Sequence, residues 1–113
     1  MKEKKRDNAL WIPHEYQSKH RPDGLLRYRR GEDEDAYVIA LEIELSWKSY
    51  PTLKAIWNEL LEHYGSIWYY VDKDIKHSFE TFLTRYQNEK PAYGEPPSDR
   101  RQRIHVYDLE QTL

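Results

Sequence analysis

Glu42 and Glu44 are the residues of this chain best placed to do chemistry. They stand two apart in Ala36-Tyr-Val-Ile-Ala-Leu-Glu-Ile-Glu-Leu-Ser-Trp-Lys48, a run otherwise apolar enough for a central strand. Side chains alternate across a strand, so both acids fall on one face with Val38, Ala40, Ser46 and Lys48. Withdrawing an unpartnered carboxylate from water costs several kcal/mol, on the order of a small domain's whole stability, so two such acids call for a cation, a metal or a cleft. Asp23, in Arg21-Pro-Asp-Gly24, is a third acid that a hairpin would fold back toward them. Two or three carboxylates at a sheet edge with a lysine nearby suit Mg²⁺ or Mn²⁺, whose oxygen-rich shell leaves room for water and phosphate. Such an ion polarises a phosphodiester and lowers the pKa of an attacking water.

A plainer reading competes with this one. Glu42 and Glu44 could lie on the solvent face of an edge-like strand, paired with Arg27 or Arg29 across the hairpin. The position of Lys48 also matters. If the strand runs on to Lys48, four residues at roughly 3.3 Å each carry its Cα about 13 Å past that of Glu44, too far for a base acting there. Lys48 is then better suited to meet a phosphate or leaving group.

The remaining polar residues exclude several classes of site. With no cysteine there is no disulfide, thiolate metal site or cysteine nucleophile. His14, His20, His63, His77 and His105 lack zinc spacing and read as surface or packing residues. The acidic run Gly31-Glu-Asp-Glu-Asp35 lacks the alternating acids and downstream glutamate of a calcium loop, and reads as a solvated hairpin tip. No glycine-rich phosphate loop or nucleophilic serine elbow is present. The net charge of −2 gives no global attraction to nucleic acid, although residues 2–6, 27–30 and 100–103 are locally basic.

The elements that would position these groups follow from periodicity. A third of the chain is charged and its mean hydropathy is −1.05, yet four Trp and ten Tyr supply enough buriable area for one folded domain. Residues 1–9 read as a polar tail and 10–113 as that domain. Leu25 to Arg30 forms the first hairpin strand, with a register uncertain by one residue, and a one-residue slip would change the face Asp23 shares. On the second strand Tyr37, Ile39, Leu41, Ile43, Leu45 and Trp47 are expected to pack beneath a helix from Pro51 to Tyr64. That helix carries a stripe of Leu53, Ile56, Trp57, Leu60, Leu61 and Tyr64, and Gly65 is expected to cap it. Ser66 to Val71 reads as an internal strand covered on both faces and parallel to the second strand, since a helix joins them. Asp72 to Asp74 opens a second helix with Ile75, Phe79, Phe82, Leu83 and Tyr86 on its stripe, ending near Asn88. A last strand runs through Arg103 to Leu109. The order of hairpin, helix, strand, helix, strand makes an α/β fold on a mixed sheet. No signal-type run or membrane-length apolar run occurs, so a soluble, cytoplasmic protein is expected.

Pro22-Asp23-Gly24, then Glu42-Ile43-Glu44 on the return strand, followed by helix, apolar strand and helix, resembles the core of the PD-(D/E)xK nuclease superfamily. The likeness covers about residues 10 to 85. More narrowly, His20-Arg-Pro-Asp-Gly-Leu-Leu together with Ala40-Leu-Glu-Ile-Glu-Leu-Ser-Trp-Lys48 is similar to the replication-relaxation family and the MobC-type relaxases of mobilisable plasmids. The resemblance implies a restriction-endonuclease-like core and a metal-dependent DNA nickase acting in plasmid replication or mobilisation. It implies Asp23 and Glu42 as metal ligands, Glu44 in the place usually held by a lysine, Lys48 as a displaced basic partner, and Glu15 as the acid such proteins often carry upstream. Relatives usually bear a winged-helix DNA-binding domain ahead of this part, so here such a domain is expected on a partner protein or a missing segment. A non-catalytic DNA-binding or interaction module of the same fold is the alternative, as is a dimer paired through an aromatic edge.

Overall fold

The computed structural model describes residues 20–28 and 37–112. Four strands form one mixed sheet in the order β1-β2-β3-β4, namely β1 (Gly24–Tyr28), β2 (Tyr37–Glu44), β3 (Ser66–Val71) and β4 (Ile104–Asp108). The β1 and β2 strands are antiparallel, whereas β2, β3 and β4 run parallel. Helix α1 (Tyr50–His63) joins β2 to β3, and α2 (Lys73–Asn88) followed by the short α3 (Ser98–Arg101) joins β3 to β4. A last turn, α4 (Leu109–Thr112), follows β4. The fold is α/β, as the periodicity predicts, and none of these helices is long and apolar enough to cross a membrane.

Both long helices start where their side chains supply missing acceptors. Ser49 Oγ accepts the Thr52 N–H at 3.4 Å and Pro51 occupies the first turn of α1, where its lack of an N–H is harmless. Asp72 Oδ2 accepts the Asp74 N–H at 3.2 Å at the start of α2. The stripes Leu53, Trp57, Leu60, Leu61 and Phe79, Leu83, Tyr86 then bury against Ala40, Ile67, Tyr69, Val71 and Ile104 in a single core. Trp57 lies between Phe79 at 5.6 Å, edge-on, and Tyr86 at 5.1 Å.

The face assignment of β2 is opposite to expectation. Its even-numbered side, with Val38, Ala40, Glu42 and Glu44, is turned to the helices. Of the odd-numbered residues Ile39 is buried, while Tyr37, Ile43, Leu45 and Trp47 are exposed. The cause is register: Ala40, Glu42 and Glu44 stand beside Ile67, Tyr69 and Val71 of β3, the most deeply buried strand positions. Small Ala40, fully buried, lets Trp57 and its neighbours close down on the sheet. The β3 strand is accordingly not covered equally on both faces. Trp68 and Tyr70 are half-buried on the face they share with Leu41 and Ile43 of β2, against Tyr107 at 5.9 and 5.4 Å.

Gly65 also differs from expectation. Helix α1 ends on Tyr64 in an extended conformation rather than on a left-handed glycine. A glycine is needed at 65 because a Cβ there would come 2.4 Å from the Tyr37 ring. That ring is fixed by its hydroxyl, which donates to Gly65 O at 2.9 Å and lies 2.8 Å from Ser66 Oγ.

Candidate functional site

The acids gather at the carboxyl end of β2, the end of an open parallel sheet at which ligands usually bind. The last β1–β2 ladder pair is Gly24 with Leu41, so the next step brings Asp23 level with Glu42. Asp23 Oδ2 there accepts the Ile43 N–H at 2.7 Å. The register left open by the sequence is thereby set, and Asp23 stands close enough to Glu42 for its charge to raise that carboxyl's pKa.

Glu42 is 4% exposed. Its Oε1 lies 2.9 Å from His20 Nε2, and its Oε2 is buried without a hydrogen-bond partner. Burial is the main cause that pushes the Glu42 pKa above its ordinary value, the His20 bond opposes it, and the charges of Asp23 and Glu44 add to it. Burial likewise pushes the Tyr64 and Tyr69 hydroxyls up, and the Glu42 charge contributes to both. The carboxylate is therefore walled by aromatic side chains, where an unpaired charge is most costly.

Glu44 is also buried, and it forms an ion pair with Lys48. The expected 13 Å separation does not occur because β2 ends at Glu44 and the chain bends through residues 45–47 toward the Ser49 cap. The lysine ammonium returns to the carboxylate four residues behind it. Glu44 and Lys48 border a small depression with Trp47 and the apolar residues Leu53, Phe79 and Phe82. Thus Lys48 belongs to the acid site directly.

Pairing with Arg27 does not describe these acids. Arg27 sits opposite Val38, four residues down β2 from Glu42, and Arg29 lies outside the described residues. Glu15 also lies outside them. His20, expected to be an ordinary surface or packing residue, is instead the partner of Glu42. Its separation from Asp23 by three residues was the available signal, because a turn that sets Asp23 against β2 brings its neighbours with it.

Carboxylate oxygens suit a hard divalent cation, and the buried, unpartnered Glu42 Oε2 is an oxygen such an ion would satisfy. Among the described residues no group of three or more His, Asp or Glu side chains stands together as a cage for a metal. The arrangement fits an ion of the kind that takes one or two carboxylates and fills its shell with water and phosphate.

Comparison with known proteins returned no matching family model, no matching curated protein and no matching solved structure.

Proposed function

We propose that this chain is a metal-dependent DNA nickase or nuclease-like domain, with a restriction-endonuclease-like core, acting in plasmid replication or mobilisation. The observation that carries the reading is Glu42 Oε2, a buried carboxylate oxygen without a partner, with Asp23 and Glu44 close enough to raise its pKa and Lys48 on Glu44. Of the three acids Asp23, Glu42 and Glu44, one or two carboxylates, Glu42 foremost, would hold Mg²⁺ or Mn²⁺, with water and phosphate completing the shell. The bound ion would polarise the phosphodiester and make water a better nucleophile.

The protein's own groups have separate tasks. Ile43 N–H fixes one oxygen of Asp23, which keeps that carboxylate at the strand end. Lys48 offsets the charge of Glu44 and is the cation within reach of an incoming phosphate or leaving oxygen. Glu15 retains the upstream acid role that the resemblance implies.

A second reading is supported by the same ion pair. If Lys48 serves only to neutralise Glu44, the chain is a DNA-binding or interaction module that has kept the fold without cleavage. A winged-helix partner could then supply the DNA contacts.

Incubation with supercoiled plasmid and Mg²⁺ or Mn²⁺ separates the two. The nickase reading predicts open-circular product that disappears in EDTA and in Glu44→Ala. Nicking by the wild-type chain no greater than by Glu44→Ala ends the catalytic reading, and salt-sensitive DNA binding retained in EDTA favours the module.

A further inference from the structure

The two acids nearest each other across the β1–β2 edge are anchored by the same device. Each carboxylate has one oxygen tied to the protein. Asp23 Oδ2 accepts the Ile43 N–H at 2.7 Å, and Glu42 Oε1 is held 2.9 Å from His20 Nε2. On Glu42 the tie leaves Oε2 without a hydrogen-bond partner among the described residues, on a side chain 4% exposed. An imidazole Nε2–H is a donor that suits this purpose. Partners of this kind set the orientation and basicity of ligands, and their removal typically weakens metal binding 10- to 100-fold.

We infer that His20 is a positioning residue: by holding Glu42 Oε1 it presents Oε2 as a donor to a divalent cation of the Mg²⁺ or Mn²⁺ class. The inference deepens the metal-dependent reading and rests on it. In this role His20 acts through Glu42, which its Nε2 engages. Its imidazole is partly exposed, with 31% of the side chain accessible. His20 and Asp23 lie in one five-residue stretch, His20-Arg-Pro-Asp-Gly24, so a single turn delivers both a ligand and the anchor of its neighbour.

The test is Mn²⁺ titration of the protein without DNA, with free Mn²⁺ followed by electron paramagnetic resonance, for the wild type, His20→Ala and His20→Gln. The expected result is Mn²⁺ uptake by the wild type, a 10- to 100-fold weaker affinity in His20→Ala, and recovery to within about threefold in His20→Gln, whose amide can still donate to Glu42. Metal-free melting of the three proteins should differ by no more than a few degrees, which a merely structural role for His20 would not combine with a large change in affinity. Equal Mn²⁺ affinity in the wild type and His20→Ala overturns the positioning role and leaves the metal reading standing. No Mn²⁺ uptake by the wild type overturns both.

Discussion

Arg101 and Glu42 are withdrawn from water to nearly the same degree, at 0% and 4% exposure, but their neighbours treat them in opposite ways. The Arg101 guanidinium is satisfied on every side that matters. It donates to the carbonyls of Pro96 at 3.0 Å and Tyr86 at 2.8 Å and to Glu95 Oε1 at 3.0 Å, and it lies over the Tyr86 ring at 4.1 Å. Glu95 is tied in turn by the Ala92 N–H, which is the main reason its pKa is held down, with Lys54 and Arg101 contributing. Among the described residues Glu42 has one hydrogen-bond partner, a second oxygen without one and two further carboxylates nearby. A buried charge with complete bonding locks the crossing from α2 through α3 to β4. One with incomplete bonding costs stability, and such a cost is commonly found at ligand sites.

The largest expected effect comes from breaking the satisfied member of this pair. Arg101→Met removes the guanidinium and strands Glu95 and two backbone carbonyls, so urea unfolding should show a loss of about 3–5 kcal/mol. A loss below about 1 kcal/mol would mean that water replaces the guanidinium and that Arg101 is not the fastening of this region.

The unsatisfied member should respond with the opposite sign. Glu42→Gln keeps an acceptor for His20 and removes the charge, so metal-free protein at pH 7 should become more stable, by about 1 kcal/mol. The direction of the pH dependence follows from linkage. Burial raises the folded-state pKa of Glu42 above its ordinary value of 4.5, so the folded protein holds this proton more tightly than the unfolded chain. The contribution of Glu42 to stability is then full below pH 4.5 and is lost as pH rises through the raised value. Urea midpoints taken across that window should fall more steeply for the wild type than for Glu42→Gln. Parallel curves would show that the carboxyl is solvated after all.

The same contrast accounts for what could be read from the chain. Both long helices were legible because the stripes Leu53–Trp57–Leu60–Leu61 and Phe79–Leu83–Tyr86 repeat at helical spacing and end at polar caps. The parallel pairing of β2 and β3 followed from the helix between them. The apolar pattern points to the wrong face of β2, because Tyr37, Ile43 and Trp47 form its more apolar side, whereas the helices settle on the side where Ala40 is small and β3 presents Ile67, Tyr69 and Val71. Alternation separates the two faces of a strand and does not say which one the crossover helix covers.

At the site, the meeting of Asp23 with Glu42 was legible from hairpin geometry, although the register was not. Continuing the strand to Lys48 misplaces it, because residues 45–47 bend toward the Ser49 cap. Zinc spacing does not detect His20, because a histidine that acts on a carboxylate needs none. The sequence marks Arg101 only as part of a locally basic run, Arg100 to Arg103. Nothing in the identity of those residues shows that the chain folds Arg101 inward against Tyr86.

In the proposed metal-dependent reading, Glu42 is left short of partners because a cation completes it. Thermal melting of the wild type and of Glu42→Gln, each with and without Mn²⁺, tests that most directly. A ligand bound to the folded state alone and present at 100 times its Kd adds about 2.7 kcal/mol. Mn²⁺ should therefore raise the melting temperature of the wild type by several degrees and leave that of Glu42→Gln unchanged. No shift in the wild type, or the same shift in both proteins, would contradict the account.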